Sequence, residues 1–267
     1  MILPRRLARF FPLVLVVIAT APVPAFAQNE FGTTTAGESA LIGILYDFKQ
    51  TQQRVPTSMD PQNYTAVVNE FLNRGWDERV LNRYYRVTQP LYTTQIFIPN
   101  MGAGAAPRAF GVEKIVQPRL WLAHYKGQVV APAGGRWRFW GYGDDFCAVA
   151  VNGRTVMFGG RFNSQWKPAE KTRPRGVPAA NGNLIAGDWI TVQAGEVLNL
   201  DIALGERPGG VFSSFILIEH EGDTYARVGD APVLPIFQLA PYDTPAPASP
   251  KAAPVFAKNG PVWKALQ

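Results

Sequence analysis

The chain has 267 residues, 47% hydrophobic and 12% aromatic, with a formal charge of +6 and a single cysteine. One Cys excludes an intrachain disulfide, so the fold has to rest on a hydrophobic core, which a chain of this length can supply. Three of the arginines, Arg5, Arg6 and Arg9, precede residue 28, and without them the charge falls to +3. The remaining Lys and Arg are scattered rather than gathered into the basic stripe that nucleic-acid binding needs.

Residues 1–27 read as a signal peptide. A basic start leads into a largely apolar run from Phe10 to Val23, then Ala25-Phe26-Ala27, an A-x-A cleavage signal. The run is short for a membrane span and is broken by Pro12 and Pro22. The expected location is therefore exported (periplasmic, cell-surface or extracellular), with no membrane span after cleavage. Residues 28–39 are a polar, flexible lead.

Ala40 to Phe48 is apolar and β-prone and reads as the first strand. Asp60 followed by Pro61 is a helix start, and Val67, Val68, Phe71 and Leu72 recur at helical spacing before Gly75 stops the run. A second short helix or turn is expected around Asp77 to Tyr84. Together these make a helical insertion over about 60–85 that covers a sheet. After Pro90 the pattern turns to short strands: Leu91 to Ile98, Leu120 to Tyr125, Arg136 to Tyr142, Phe146 to Val151, Thr155 to Phe158, Asp188 to Val192, Val197 to Leu204 and Val211 to Glu219. Leu198, Leu200, Ile202 and Leu204 alternate with polar neighbours, which places them on one face. Gly and Pro clusters punctuate the strands, as expected of a sandwich or barrel. One β domain over 40–240 accounts for all of this. Residues 241–267 form a Pro/Ala-rich tail of extended, mobile character, with Val262-Trp263 able to dock on the body or on a partner.

The most informative stretch runs from Gly135 to Val156. It reads as a strand, a Gly-rich acidic corner at Asp144-Asp145, a second strand, and an Asn152-Gly153 turn of the two-residue type in which both residues take positive φ. Cys147, between Phe146 and Ala148, is expected as a small buried residue of the second strand. Alternation puts Trp137 and Phe139 on one side with Cys147, Val149 and Val151 as core. Trp140 and Tyr142 fall on the opposite side, as candidates for an exposed sugar-stacking face. Two adjacent carboxylates repel unless a cation or donors lie between them.

The order aromatic-x-aromatic, four residues, Asp-Asp, strand, Asn-Gly resembles the core of PA14-type domains and the related fibro-slime repeats of secreted bacterial proteins. Gly205-Glu206-Arg207 followed by Ser213 to Ile218, and the Gly159-Gly160 loop, resemble the same group. The resemblance covers roughly residues 110–220 and implies a PA14-like β-sandwich or barrel. It further implies Ca²⁺ at Asp144 and Asp145, the two acids joined by a cis peptide as in the sugar-binding adhesins, with sugar hydroxyls completing the coordination. The adhesins also supply an Asn from a second loop. Gly205 to Gly210 has none, and Glu206 is the substitute this chain offers. The alternative for the acidic pair is that it only satisfies backbone donors, with Glu206 and Arg207 as an ion pair bracing the corner.

Ligand-binding candidates are thus Trp140, Tyr142, Glu206 and Arg207, and metal candidates Asp144 and Asp145. The two histidines, His124 and His220, lie in strand-like segments and give no triad or metal cluster, so the expectation is a binding module rather than an enzyme. It would recognise a glycan or polysaccharide; the alternative is a structural or assembly protein of the cell envelope that binds a protein partner.

Overall fold

The computed structural model describes residues 30–266 apart from 163, 165, 170–173, 175, 242 and 250. The signal peptide expected over 1–27 lies outside the described residues. Among the described residues no helix is long and apolar enough to cross a membrane.

The strands in chain order are β1 (Leu41–Asp47), β2 (Tyr85–Arg86), β3 (Leu91–Thr93), β4 (Phe97–Gly102), β5 (Trp121–Val130), β6 (Gly135–Gly143), β7 (Phe146–Val151), β8 (Arg154–Gly160), β9 (Val177–Ala179), β10 (Gly182–Val192), β11 (Val197–Glu206), β12 (Val211–His220), β13 (Arg227–Val228), β14 (Ala231–Pro232) and β15 (Lys264–Leu266). They build two main antiparallel sheets. The first has the order β2-β1-β5-β11-β7-β8, with β3 also on β1 and β15 also on β5. The second runs β4-β12-β6-β10-β9. The fold is mainly β, a two-sheet sandwich.

The core between the sheets contains Trp137, Phe139, Cys147, Val149 and Val151 together, as alternation requires. Cys147 is buried, and burial pushes its thiol up to about 12. The β7–β8 turn is the one the sequence specifies: Asn152 has φ 51° and Gly153 φ 75°. The Asn152 side-chain oxygen also accepts the Asn199 amide at 2.9 Å, tying the turn to β11.

The helical insertion covers the outer face of the first sheet. Helix α1 (Pro61–Asn73) is capped by Asp60, whose side chain accepts the Asn63 amide at 2.7 Å. Its buried Tyr64, Val68, Phe71 and Leu72 pack on Ile44, Tyr46, Leu122, Phe146 and Ala148. The expected second helix is a single 3₁₀ turn, Leu81–Arg83. His124 of β5 pins this cover. Its ring nitrogens lie 3.2 Å from Glu78 and 2.8 Å from Asp201. Burial disfavours the imidazolium, but the two carboxylates outweigh it and hold the His124 pKa above its ordinary value. A short helix not evident in the sequence, α2 (Ala105–Ala109), buries Ala106 and Pro107.

Leu91 to Ile98 is not one strand. The chain leaves β1's side at Thr93 and joins β12 in the other sheet at Phe97, so the segment is a crossover between layers. The buried Thr93 hydroxyl donates to the Gln95 carbonyl at 2.6 Å inside it.

Trp140 and Tyr142 do not form an exposed face; they are 0% and 3% exposed. They do project to the outer side of the second sheet, but that side is roofed by β9 and by the chain after β12, through Val177, Ala179, Leu234, Ile236 and Ala253. The Trp140 indole N–H donates to Glu219 at 2.6 Å, and the same carboxylate takes both Arg138 donors at 2.6 and 2.9 Å. Burying two large aromatics with their polar tips paired removes far more apolar area from water than leaving them as a surface platform would.

The end of the chain is likewise packed rather than loose. Trp263 is fully buried between Trp137, Phe139 and Phe237, at ring separations of 5.4–6.1 Å. Beyond it, β15 pairs with β5 over Gln128 to Val130, just past the stretch that β1 occupies.

Candidate functional site

The Asp144-Asp145 corner joins β6 to β7, and glycine makes it possible. A β-carbon on Gly143 would overlap the Phe146 backbone, and one on Gly160 would overlap the Asp145 carbonyl. The backbone is tied on both sides: the Asp144 amide donates to the Ser213 carbonyl at 2.9 Å, and the Arg161 amide to the Asp145 carbonyl at 2.8 Å. The peptide joining the two acids is trans, in contrast to the cis form the resemblance implies.

The loop after β11 closes over this corner. The Arg207 amide donates to Asp145 Oδ2 at 2.6 Å, and the Gly209 amide to Glu206 Oε1 at 2.8 Å. Register explains the meeting: Gly205 faces Phe146, the first residue of β7, so Glu206 and Arg207 overhang the acids. Gly205 is itself required, because a β-carbon there would overlap the Phe146 ring and the Tyr64 hydroxyl. We expect Gly205→Ala to cost roughly 1–3 kcal/mol through overpacking. Urea unfolding should show a lower midpoint at unchanged slope; an unchanged midpoint would mean the loop does not sit this close.

Asp144, Asp145 and Glu206 are 8%, 5% and 1% exposed. Asp144 receives the Tyr142 hydroxyl at 3.3 Å and faces the Arg161 guanidinium at 3.4 Å. Glu206 Oε2 is buried and, among the described residues, has no hydrogen-bond partner. Burial, and after it the charge of Asp145, pushes Glu206 up to about 8 despite the Gly209 amide. Asp145 is raised too, first by burial; the Arg207 amide and charge oppose this, and Asp144 adds to it. A pKa near 8 favours the protonated form of Glu206 at neutral pH, which eases the conflict of three bare carboxylates.

The ion pair expected between Glu206 and Arg207 is not how the corner is braced. The brace is the Arg207 backbone amide, while its guanidinium turns toward α1, reaching Thr65 Oγ1 at 3.4 Å and lying 5.8 Å above the Phe162 ring. An amide on a folded loop costs no side-chain ordering, whereas a guanidinium paired there would need desolvation. Of the six candidates, Asp144, Asp145, Glu206 and Arg207 converge at the corner, and Tyr142 reaches it from beneath through its hydroxyl. Trp140 does not take part. Arg161 and Phe162, which flank the corner, were not singled out from sequence.

Alongside lies a groove of about 910 Å³ between α1 and the corner, lined among others by Gln62, Thr65, Asn69, Arg161, Phe162 and Arg207. Among the described residues no group of three or more His, Cys, Asp or Glu is arranged to hold a metal ion. The oxygen ligands that the corner could offer a hard cation are the carboxyls of Asp144, Asp145 and Glu206.

The two-sheet antiparallel sandwich is similar in fold to solved PA14 domains. Solved structures it is similar to include the PA14 sugar-binding domain from an RTX adhesin, at 13% identity over 75% of this chain and 96% of that one, TM-score 0.36. Another is the A domain of epithelial adhesin 6 from Candida glabrata in complex with Galβ1-3GlcNAc, at 12% identity over 73% and 88%, TM-score 0.40. An anti-sigma factor domain-containing protein matches at 13% identity over 79% and 50%, TM-score 0.42. No family model matches the chain. No curated protein matches it.

Proposed function

We propose that this is an exported, noncatalytic carbohydrate-binding module whose ligand reaches the Asp144-Asp145 corner from the groove along α1. The observation that carries the reading is the convergence of the adjacent Asp144 and Asp145 of the β6–β7 turn with Glu206 from the end of β11 in one nearly buried corner. A sandwich that needed the corner only as a turn would not have to assemble that much buried acid. Loops on a rigid β scaffold are the usual place for a binding surface.

Ca²⁺ is the cation proposed for the corner, with Asp144 and Asp145 as its protein carboxylates. It would supply Lewis-acid attraction for vicinal sugar hydroxyls and favour the ionised form of Glu206. The test is thermal melting of the protein with EDTA and with millimolar calcium. Wild type should gain about 2.7 kcal/mol when calcium stands at a hundred times its dissociation constant. Asp144→Ala and Asp145→Ala should each abolish that gain. No shift in the wild type would sink the calcium proposal. Glycan-array binding that calcium supports and EDTA removes is the corresponding result for the ligand.

A further inference from the structure

Arg161 and Arg207 stand in front of the acids. The three carboxyl groups are nearly sealed behind the groove wall, whereas the Arg161 side chain is 51% exposed and both arginines line the groove itself. A ligand in the groove therefore meets guanidinium before it meets carboxylate.

Among the described residues neither arginine has a close carboxylate partner. Arg161 Nη2 has only long partners, Asp144 at 3.4 Å and the Asn181 carbonyl at 3.3 Å. Arg207 makes a 3.4 Å contact with a threonine hydroxyl. Charge-assisted hydrogen bonds that hold an arginine are nearer 2.7–2.9 Å. Arg79, Arg83 and Arg138 show what commitment looks like here, with carboxylate partners at 2.8, 2.6 and 2.6 Å. Among the described residues the acid on the groove's lining is Glu70, already taken by Arg83 at 2.6 Å and Arg74 at 3.2 Å. The rest of the helix side offers neutral hydrogen-bonding groups such as Gln62 and Thr65.

A planar guanidinium with open donors beside neutral polar groups suits a carboxylate carried on a polyhydroxylated ring. Resting on the carbohydrate reading above, we infer that the groove takes an acidic saccharide of the uronate type, its carboxylate held by Arg161 with Arg207 supporting, and its hydroxyls facing α1 and the corner.

The experiment measures binding of the full chain to short oligogalacturonides, to their methyl esters, to dextran sulfate and to a panel of neutral oligosaccharides, in calcium-containing buffer. Arg161→Gln is compared with Lys258→Gln. Lys258 is an exposed lysine on the C-terminal segment away from the groove, so the two variants carry the same charge change. Unaltered melting temperatures establish that both variants are folded.

The expected result is binding of the free acid, at least tenfold weaker binding of the methyl ester, a loss of at least tenfold in Arg161→Gln, and no change in Lys258→Gln. Equal binding of dextran sulfate, or an equal loss in both variants, would overturn the inference by showing a response to bulk charge. Binding of neutral sugars that Arg161→Gln leaves intact would overturn the acidic specificity while leaving the carbohydrate module standing. Absence of binding to every saccharide would remove both.

Discussion

Replacing Trp263 by alanine should cost about 3–5 kcal/mol, the range for truncating a fully buried large aromatic. At roughly 2–4 °C per kcal/mol for a domain of this size, the melting temperature should fall by about 10 °C. The residue follows a Pro/Ala-rich stretch, yet its ring fills the space between Trp137, Phe139 and Phe237. Its amide also donates to the Gln238 carbonyl at 2.9 Å, so the final strand is held at two points. Trp263→Phe separates packing from hydrogen bonding. The indole N–H has no partner in the core, so phenylalanine removes a buried unsatisfied donor while leaving a smaller gap, and its loss should be far below that of alanine. Equal losses for the two variants, or none for alanine, would show that the tail does not close the core.

The second large effect lies at Glu206 and depends on pH. In the folded protein its pKa is about 8, against an ordinary 4.5. Between those values the folded state holds the proton and the unfolded chain does not. The stabilisation is complete below 4.5, declines as pH rises through the window, and is gone above 8. A shift of this size is on the order of a few kcal/mol. The raised Asp145 contributes in the same direction.

Wild type in EDTA should therefore lose stability steadily from pH 5 to pH 8. Glu206→Gln cannot ionise and should show a flatter profile. It should equal wild type near pH 5 and exceed it above pH 8. Urea titrations at intervals across that range measure it. If wild type and variant run parallel, the Glu206 carboxyl is not raised by its burial in the corner. Calcium should reverse the wild-type slope, because an ion that displaces the proton binds more tightly as pH rises.

The local features were legible in the sequence because they rest on neighbours along the chain. The Asn152-Gly153 turn, the Asp60 cap of α1, the core side of β6 and β7, and the burial of Cys147 each follow from a turn requirement, a capping geometry or strand alternation. The resemblance pairs the acids with a second loop, for which Gly205 to Gly210 is the candidate, and the β11–β7 register brings that loop to them.

Tertiary structure decided what alternation cannot. Alternation says that Trp140 and Tyr142 share a side; it does not say whether that side meets water, and here β9 and the returning C-terminal chain roof it. Composition likewise could not show that a Pro/Ala-rich stretch leads to a core residue, because the space Trp263 fills is made by Phe237 together with Trp137 and Phe139, more than a hundred positions earlier. The protonation of Glu206 belongs to the same class. A carboxyl in sequence is a charge, and only burial beside Asp145, with one oxygen left without a donor, makes it an acid that keeps its proton at neutral pH.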